Sequence, residues 1–232
     1  MPVKKILLIM HQAGSDPGRV GEALRTLGYE LDMRVPAIGH PLPQNTNEHC
    51  AAVVFGGPMS ANDDHESYIR EETRYVEKAL KADLPFFGIC LGAQIMARCL
   101  GAEVRQHSEG LVEIGYYPVR PAHDQNDYFL EDLKLYQWHR EGFDLPAGCD
   151  LLATGHHFPN QAYRYGDKAF GIQFHPEVTE AMNRKWLRKA AHMLEEPGAQ
   201  SADDQLTDRR LHDTRSRQWL DRFLDRWVGP AS

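Results

Sequence analysis

Short apolar runs, separated by segments long enough to form helices, organise the first hundred residues of the chain. Three of these runs are continuous, as in parallel strands buried on both faces. They cover residues 5–10, 51–55 and 84–89. Residues 29–35 instead alternate between apolar and polar positions, which predicts a half-exposed strand near a sheet edge. Helical spacing predicts three intervening helices, over residues 20–27, residues 66–82 and the segment after residue 90.

The pattern changes after residue 102. Short alternating runs separated by turn residues predict a small antiparallel annex. They cover residues 112–117, 135–138, 161–165 and 168–174. Residues 180–194 return to helical spacing. The whole pattern predicts an α/β protein with a doubly wound, mostly parallel open sheet of the flavodoxin-like kind, a small antiparallel annex and a C-terminal helix.

The last part of the chain predicts a separate element. Residues 197–205 are typical of a linker, so we expect one domain over residues 1–196 and a linker with an amphipathic helical extension over residues 197–232. The apolar positions of this helix are predicted to share one stripe: Leu211, Trp219, Leu220, Phe223, Leu224 and Trp227. Such a stripe packs on its own domain or forms the contact of a homodimer, and both interpretations stay open.

Composition limits the classes of function. The 232 residues are 42% hydrophobic, enough for one substantial core. The net charge of −7 argues against nucleic acid as a partner. The first apolar run is too short for a signal peptide, and no stretch approaches the roughly 20 apolar residues of a membrane span, so we expect no membrane association. The four cysteines are scattered without a Cys-x-x-Cys pair, which favours a reduced cytoplasmic setting.

The strongest chemical signal follows the third apolar run. Residues 88–92 read Gly-Ile-Cys-Leu-Gly, the Gly-x-nucleophile-x-Gly pattern of a strand-to-helix elbow. The glycines permit a tight turn, and the positive end of the next helix favours the thiolate form of Cys90. The competing interpretation is a buried, inert cysteine, which is what we expect of Cys99.

Two further loops complete a candidate site. Residues 173–178 read Gln-Phe-His-Pro-Glu-Val, in which His175 can deprotonate a thiol and Glu177 can orient the imidazole. Residues 55–60 contain a Gly-Gly pair, which is either a tight turn or an oxyanion hole in which the amides of Gly57 and Leu91 face the reacting oxygen. Because ligands of open α/β sheets bind beyond the carboxyl ends of the strands, we expect these loops to converge.

Together, the elbow, the 55–60 loop and the 173–178 turn resemble class I (triad-type) glutamine amidotransferases. The resemblance covers about residues 5–195 and is greatest to the free-standing branch similar to the amidotransferase domain of GMP synthase. It implies that Cys90 attacks the side-chain amide of L-glutamine, that His175 acts as base and then as acid, and that Glu177 orients His175. The resulting γ-glutamyl thioester would be hydrolysed to glutamate.

The resemblance also implies the supporting roles. The backbone amides of Gly57 and Leu91 would bind the oxyanion, and Gln94 would help to hold the amino-acid end of the substrate. No cofactor is implied. His156 and His157 lack acidic or cysteine partners at ligand spacing, so we expect no metal site. His11 is expected to border the site without a catalytic role.

Some alternatives stay open. Arg140-Glu141 replaces the Gly-Asp that the family often carries, so the neighbourhood of the substrate can differ. No synthetase phosphate loop occurs, so ammonia made here for a synthesis would have to reach a separate synthetase subunit. A γ-glutamyl hydrolase or peptidase could use the same triad on γ-glutamyl peptides or amines. The intracellular-protease branch usually carries a glutamate on the strand before its cysteine, and this chain has none there. A non-catalytic regulatory or binding protein is the alternative from another class.

Overall fold

The structure is a computed structural model that describes residues 4–124 and 127–231. The first half holds strands β1 to β4 and helices α1 to α3. In chain order these are β1 Lys5–Ile9, α1 Gly18–Thr26, β2 Glu30–Arg34, β3 Ala51–Val54, α2 Ser67–Lys81, β4 Phe86–Ile89 and α3 Leu91–Cys99. A short 3₁₀ helix, Pro36–Ile38, follows β2.

The second half is richer in strands. In chain order the elements are β5 Val104–Gln106, β6 Glu113–Pro121, β7 Leu133–His139, β8 Glu141–Phe143, β9 Asp150–Thr154, β10 Asn160–Tyr165, β11 Ala169–Ile172, α4 Glu180–Lys189 and α5 Ala202–Trp227. A second 3₁₀ helix, Ala191–Glu195, lies between the last two helices. The sequence pattern does not predict β5, β8 or β9, and strands of three residues, as β5 and β8 are, show no recognisable alternation.

Nine strands form one mixed sheet in the order β2-β1-β3-β4-β11-β10-β9-β6-β7. Strands β2, β1, β3, β4 and β11 pair in parallel, in the flavodoxin-like order with β11 in fifth place. The predicted doubly wound α/β fold is therefore confirmed. The edge position of β2, whose residues are only partly buried, also agrees with its alternating sequence.

Most of the strands predicted for an antiparallel annex belong instead to the main sheet. Strands β10, β9, β6 and β7 continue the main sheet, and only β5 and β8 form the small two-stranded antiparallel sheet. Strand β11, predicted within the antiparallel runs, pairs in parallel with β4 and antiparallel with β10. Its four residues are all buried. A run of buried residues indicates that both faces of a strand are covered, but it does not identify the strand beside it.

Helices cover both faces of the parallel strands. On one face Ile6, Leu8, Val53 and Phe87 pack under α1 and α5. The alternate residues of the same strands, such as Leu7 and Val54, pack under α2 and α3. This two-sided burial explains why β1, β3 and β4 read as continuous apolar runs. Within the described residues, no helix combines the length and the apolar character that crossing a membrane requires.

The C-terminal helix is part of the first of these cores. Its buried residues include Trp219, Leu220, Phe223, Leu224 and Trp227, as the predicted stripe requires. Leu211 is 66% exposed, so its assignment to the stripe is wrong. At 3.6 residues per turn it lies roughly two-fifths of a turn away from the middle of the stripe.

The predicted linker is tied to β6. The Gln200 backbone N–H donates to the Ile114 carbonyl at 2.9 Å. Its side chain accepts from the Tyr116 N–H at 2.8 Å and donates to the Tyr116 carbonyl at 3.1 Å. Ser201 then caps α5, its hydroxyl accepting from the Asp204 N–H at 3.1 Å. These bonds fix the start of α5 relative to the sheet.

Phe223→Ala is expected to lower the free energy of unfolding by about 3–5 kcal/mol. The Phe223 ring stacks on Trp219 at 5.2 Å between centroids and meets Phe87 at 4.6 Å, so truncation leaves a cavity in the core. Leu211→Ala is the matched control on the same helix and should change stability by no more than ~0.5 kcal/mol. Urea unfolding followed by circular dichroism measures both, and equal losses would contradict the packing described.

Candidate active site

The elbow between β4 and α3 holds Cys90 in a strained backbone conformation. Its φ is 50° and its ψ is −104°, and among the described non-glycine residues only Asp83 shares a positive φ. The Cys90 N–H donates to the Ile172 carbonyl at 2.8 Å, and its carbonyl accepts from the Gln94 N–H at 3.0 Å. Such strain persists only where surrounding contacts impose it, and it is typical of a nucleophile elbow.

Glycines on both sides of Cys90 allow the close packing that imposes this conformation. A Cβ at Gly92 would lie 2.1 Å from the Val54 carbonyl oxygen, and one at Gly88 would lie 2.6 Å from the Gly92 backbone. Helix α3 therefore rests directly on β3 and β4. No other residue type fits at either position, which agrees with the predicted reason for the glycines.

The turn after β11 brings His175 and Glu177 together. His175 Nδ1 donates to Glu177 Oε1 at 2.7 Å, and the His175 and Glu177 side chains are only 4% and 3% exposed. The His175 backbone N–H donates to the Tyr136 carbonyl at 2.7 Å, which fixes the turn against β7. Nε2 of His175 is buried and faces Cys90, without a hydrogen bond to any other described residue.

Gly56 lies where the histidine and the cysteine meet. A Cβ at this position would be 2.6 Å from His175 Cε1 and 3.5 Å from Cys90 Cβ. The ring of His175 and the base of the Cys90 side chain thus approach the same small space beside the 55–60 loop. Three chain segments predicted to converge do so at the carboxyl ends of β3, β4 and β11.

The environment of His175 favours its protonated form. Burial alone would lower the pKa, but the negative charges of Glu177 and of the Cys90 sulfur raise it to about 10. At neutral pH the ring is therefore an imidazolium. An imidazolium beside a cysteine sulfur pairs with the thiolate, which is the nucleophilic form, and holds a proton ready for a leaving group.

The other cysteine in this region behaves differently. Burial raises the pKa of Cys99 to about 12, so at neutral pH it remains a thiol. Its sulfur donates to the Thr73 carbonyl within the packing of α3 against α2. This agrees with the expectation that Cys99 is inert.

Two backbone amides beside the sulfur are free to bind an oxyanion. Within residues 4–124 and 127–231, neither the Gly57 N–H nor the Leu91 N–H has a hydrogen-bond acceptor. A Cβ on Gly57 would lie 3.0 Å from Leu91 Cδ2, so the two segments are in direct contact. Leu91 begins α3, so its N–H also lies at the positive end of the helix.

Gln94 is buried rather than exposed on the surface of α3. Its Nε2 donates to the Glu141 carbonyl at 2.8 Å and to Gln173 Oε1 at 3.3 Å. Gln173 Nε2 in turn donates to the Cys90 sulfur at 3.5 Å. Gln94 therefore reaches the nucleophile through a second glutamine, and its substrate-binding role stays a prediction.

Sequence reasoning missed two side chains that contact the triad. Gln173 bonds the sulfur directly, and the only signal for it is its place two residues before His175. Trp186 of α4 meets the His175 ring edge to face, with centroids 5.2 Å apart and an angle of 88° between the planes. The Trp186 ring therefore packs directly against the imidazole.

The Arg140-Glu141 pair has structural partners of its own. Arg140 forms an ion pair with Glu196, and Glu141 accepts a hydrogen bond from the Ser60 hydroxyl at 2.7 Å. The second bond ties the segment after β7 to the 55–60 loop. This departure from the family pattern therefore links two loops of the candidate site.

Helix α5 also reaches the turn that carries His175 and Glu177. Arg209 donates to the Val178 carbonyl at 3.2 Å, and Gln205 Oε1 accepts from the Tyr136 hydroxyl at 3.1 Å. Since Tyr136 also accepts from the His175 backbone, α5 holds both the turn and the strand beneath it.

The remaining histidines lie outside the triad. The described parts of the chain contain no group of three or more His, Cys, Asp or Glu side chains suited to a metal ion. The rings of His156 and His157 contact each other, with centroids 4.6 Å apart. His11 is buried beside the 55–60 loop, bonded to the Gly56 carbonyl and to Glu72.

Glu177→Gln is expected to lower the pKa of His175 below 10, because the carboxylate charge is lost while the burial that lowers the pKa remains. The histidine ring signals in an NMR titration measure this midpoint. Glu180→Gln, an exposed glutamate at the start of α4, is the matched control and should leave it unchanged. An unshifted midpoint in Glu177→Gln would contradict the electrostatic pairing.

The same pKa sets a pH dependence of stability. The pKa of His175 is higher in the folded chain than in the unfolded chain, where it is about 6.5. The stabilisation by the imidazolium is therefore complete below about pH 6.5 and is lost as the pH rises through 10. Glu177→Gln should flatten this alkaline loss, measured as free energies of unfolding between pH 7 and 10.

Comparison with known proteins gives a consistent result. The family model "Glutamine amidotransferase class-I" matches residues 18–193. The putative glutamine amidotransferase-like protein YfeJ of Salmonella typhimurium is 28% identical over 82% of this chain and 89% of its own length. The GMP synthase [glutamine-hydrolyzing] of Bacillus subtilis is 36% identical over 54% of this chain, and the match spans only 24% of that enzyme.

Solved structures show the same architecture over nearly the whole chain. A glutamine amidotransferase from Methylobacillus flagellatus superposes with a TM-score of 0.91 at 27% identity, covering 99% of this chain and 96% of the other. One from Thermotoga maritima gives a TM-score of 0.87 at 30% identity, covering 97% and 98%. The matched family segment, which contains the elbow, the triad turn and the Gly-Gly loop, makes this chain a member of the class I glutamine amidotransferase family.

Proposed function

We propose that the protein hydrolyses the side-chain amide of L-glutamine to glutamate and ammonia through a γ-glutamyl thioester on Cys90. The observation that carries the proposal is the buried His175–Glu177 pair, 2.7 Å apart, facing the sulfur held at the end of β4. Family membership supports an amide-hydrolysing enzyme, and the geometry supports these residues as its triad.

In the first half of this reaction, the Cys90 thiolate attacks the amide carbon and the carbonyl oxygen becomes negative. The N–H groups of Gly57 and Leu91 stabilise that charge, since neither has another acceptor among the described residues. His175 then gives its Nε2 proton to the amide nitrogen. The C–N bond breaks, ammonia leaves, and the acyl group remains on sulfur.

In the second half, neutral His175 takes a proton from water as the oxygen attacks the thioester. The same two amides stabilise the second oxyanion. Collapse breaks the C–S bond and releases glutamate, and the thiolate–imidazolium pair is restored. Glu177 holds the ring orientation throughout and stabilises its positive charge.

The ammonia acceptor is a second part of the proposal. Two of the matched relatives show that such a domain occurs both alone and within a GMP synthase, of which this chain matches about a quarter. We infer that a separate synthetase subunit takes the ammonia.

A γ-glutamyl hydrolase acting on γ-glutamyl peptides or amines is the second candidate. The observation that favours it is a pair of partly exposed tryptophans, Trp138 and Trp186, whose ring centroids are 5.8 Å apart. The pair lies beside His175, the residue proposed to protonate the leaving nitrogen. Such a surface suits a leaving amine with an apolar substituent. Comparing kcat/KM for ammonia release from glutamine with that for cleavage of γ-glutamyl dipeptides by the isolated protein separates the two candidates.

Cys90→Ala is expected to abolish ammonia release from glutamine, and His175→Asn should cost nearly as much because the two groups act as one unit. Cys99→Ala, at the far end of α3 from Cys90, is the matched control and should keep the parent rate. A glutamate dehydrogenase-coupled assay measures the ammonia. Parent-like activity in Cys90→Ala would exclude the thiol mechanism, whereas a parent protein that releases no ammonia would favour a non-catalytic role.

Treatment with 6-diazo-5-oxonorleucine, a glutamine-like electrophile, is expected to add one label to the parent protein. Peptide mass spectrometry should locate the label on Cys90, because among the described residues only this sulfur lies against a buried imidazolium. The Cys90→Ala protein is the control and should remain unlabelled. Label on another cysteine, or no label at all, would argue against the proposed glutamine site.

A further inference from the structure

His11 follows β1 at the carboxyl edge of the sheet, where its side chain is fully buried. One ring nitrogen, Nδ1, lies 3.1 Å from the Gly56 carbonyl oxygen. The other, Nε2, lies 2.8 Å from Oε2 of Glu72, whose side chain is also fully buried in α2. The ring therefore bridges the Gly56–Gly57 loop and a helix on the same side of the sheet.

The two oxygens that face the His11 ring largely determine which of its nitrogens carry a proton. A carbonyl oxygen has no proton to give, so the Nδ1 contact requires an N–H that donates to Gly56. The Nε2 contact is then either an imidazolium facing a carboxylate or a neutral ring facing a carboxylic acid. In both cases the hydrogen bond from His11 to the Gly56 carbonyl is kept.

That carbonyl belongs to the peptide whose N–H is the proposed oxyanion donor. The Gly56–Gly57 peptide is trans, so its C=O and N–H point in opposite directions. Holding the oxygen at His11 fixes the direction of the Gly57 N–H. Donation to the oxygen also polarises the peptide, which makes its N–H a stronger donor.

The ring contacts the loop by packing as well. A Cβ on Gly57 would lie 2.8 Å from both Cβ and Cγ of His11, so the glycine backbone rests against the base of the imidazole. Rotation of the peptide would need His11 to move, and Glu72 holds the far side of the ring. The loop is thus held by a hydrogen bond and a steric contact from one residue.

Stability alone is a weak reason for such a pair. Glu72 Oε1 is buried without a hydrogen-bond partner among the described residues, which costs free energy. Apolar residues of similar volume often replace a buried ion pair without loss of stability. A role in the site accounts for retaining two polar groups there.

We propose that His11 is a positioning residue of the oxyanion hole, holding the Gly56 carbonyl so that the Gly57 N–H is directed at the reacting carbonyl oxygen, with Glu72 fixing the ring. This inference rests on the proposed glutamine hydrolysis. It differs from the sequence expectation, in which His11 only borders the site.

Two isosteric substitutions test the proposal. In His11→Asn the amide nitrogen takes the place of Nδ1 and keeps the donor to Gly56, whereas in His11→Gln it takes the place of Nε2 and keeps only the contact with Glu72. We expect His11→Gln to lower kcat for glutamine by ~10- to 10²-fold with KM nearly unchanged, since losing a whole oxyanion donor costs about 10²- to 10³-fold. His11→Asn should recover most of the rate.

The rate at which iodoacetamide alkylates Cys90 is the second readout. If His11→Gln acted only by disturbing the structure, this alkylation rate would fall together with kcat. This reaction displaces iodide from a saturated carbon and forms no oxyanion, so His11→Gln should keep the parent alkylation rate within about twofold. His49→Gln is the matched control. It alters another histidine–carboxylate pair, in which buried His49 lies 3.0 Å from partly buried Asp32. His49 lies just before β3, at the opposite end of that strand from Gly56.

The outcomes are separable. Unchanged kcat in His11→Gln, an alkylation rate that falls in proportion to kcat, or an equal loss in His49→Gln would each overturn the positioning role. Should His11→Gln fail to fold, Glu72→Gln carries the test and is expected to show a smaller fall in kcat, again without loss of alkylation. A parent protein inert towards glutamine overturns the proposed function and this inference together, whereas an active parent with an equally active His11→Gln overturns the inference alone.

Discussion

The site depends on one close contact, the approach of the Gly92 backbone to the Val54 carbonyl. Because no side chain separates α3 from β3, the chain must turn sharply between β4 and α3, and Cys90 takes a positive φ. The strain is held by the hydrogen bond from Cys90 to Ile172 on the neighbouring strand. The sulfur therefore has a fixed position before any substrate arrives, as preorganised catalysis requires.

The charge state of His175 depends on electrostatic partners as well as on packing. The site buries an imidazole that burial alone would keep neutral, and two negative partners reverse this preference. A buried charge without compensation is costly, and here Glu177 and the Cys90 sulfur both supply the compensation. Trp186 of α4 packs against the same ring, edge to face. The turn after β11 thus supplies a charged partner of His175, and helix α4 supplies part of the packing around it.

The sequence could predict those parts of the site that are local. The glycines around Cys90 lie within two residues of it, and His175 and Glu177 lie two residues apart, so each pattern is legible in a short window. Gln173 against Cys90 spans 83 positions, and His11 against Glu72 spans 61. Such pairs depend on strand order and helix placement, which no local pattern contains.

The same limit applies to the fold. Continuous apolar runs revealed β1, β3 and β4 because two-sided burial leaves a clear signature. Alternation in the second half revealed strands but not their neighbours, so β11 was expected among antiparallel strands although it completes the parallel set. Leu211 shows the corresponding limit for helices, because an apolar residue can face solvent on the same helix whose other apolar residues are buried.

Helix α5 lies beyond the segment that identifies the family, which ends at residue 193. Yet it supplies part of the core through Trp219 and Phe223, and its Arg209 donates to the backbone one residue past Glu177. The boundary by which this family is recognised is therefore not the boundary of the hydrophobic core in this chain. Removing α5 would uncover one face of the sheet and also break the bond to the turn that carries His175 and Glu177, so this last helix bears on both the core and the proposed site.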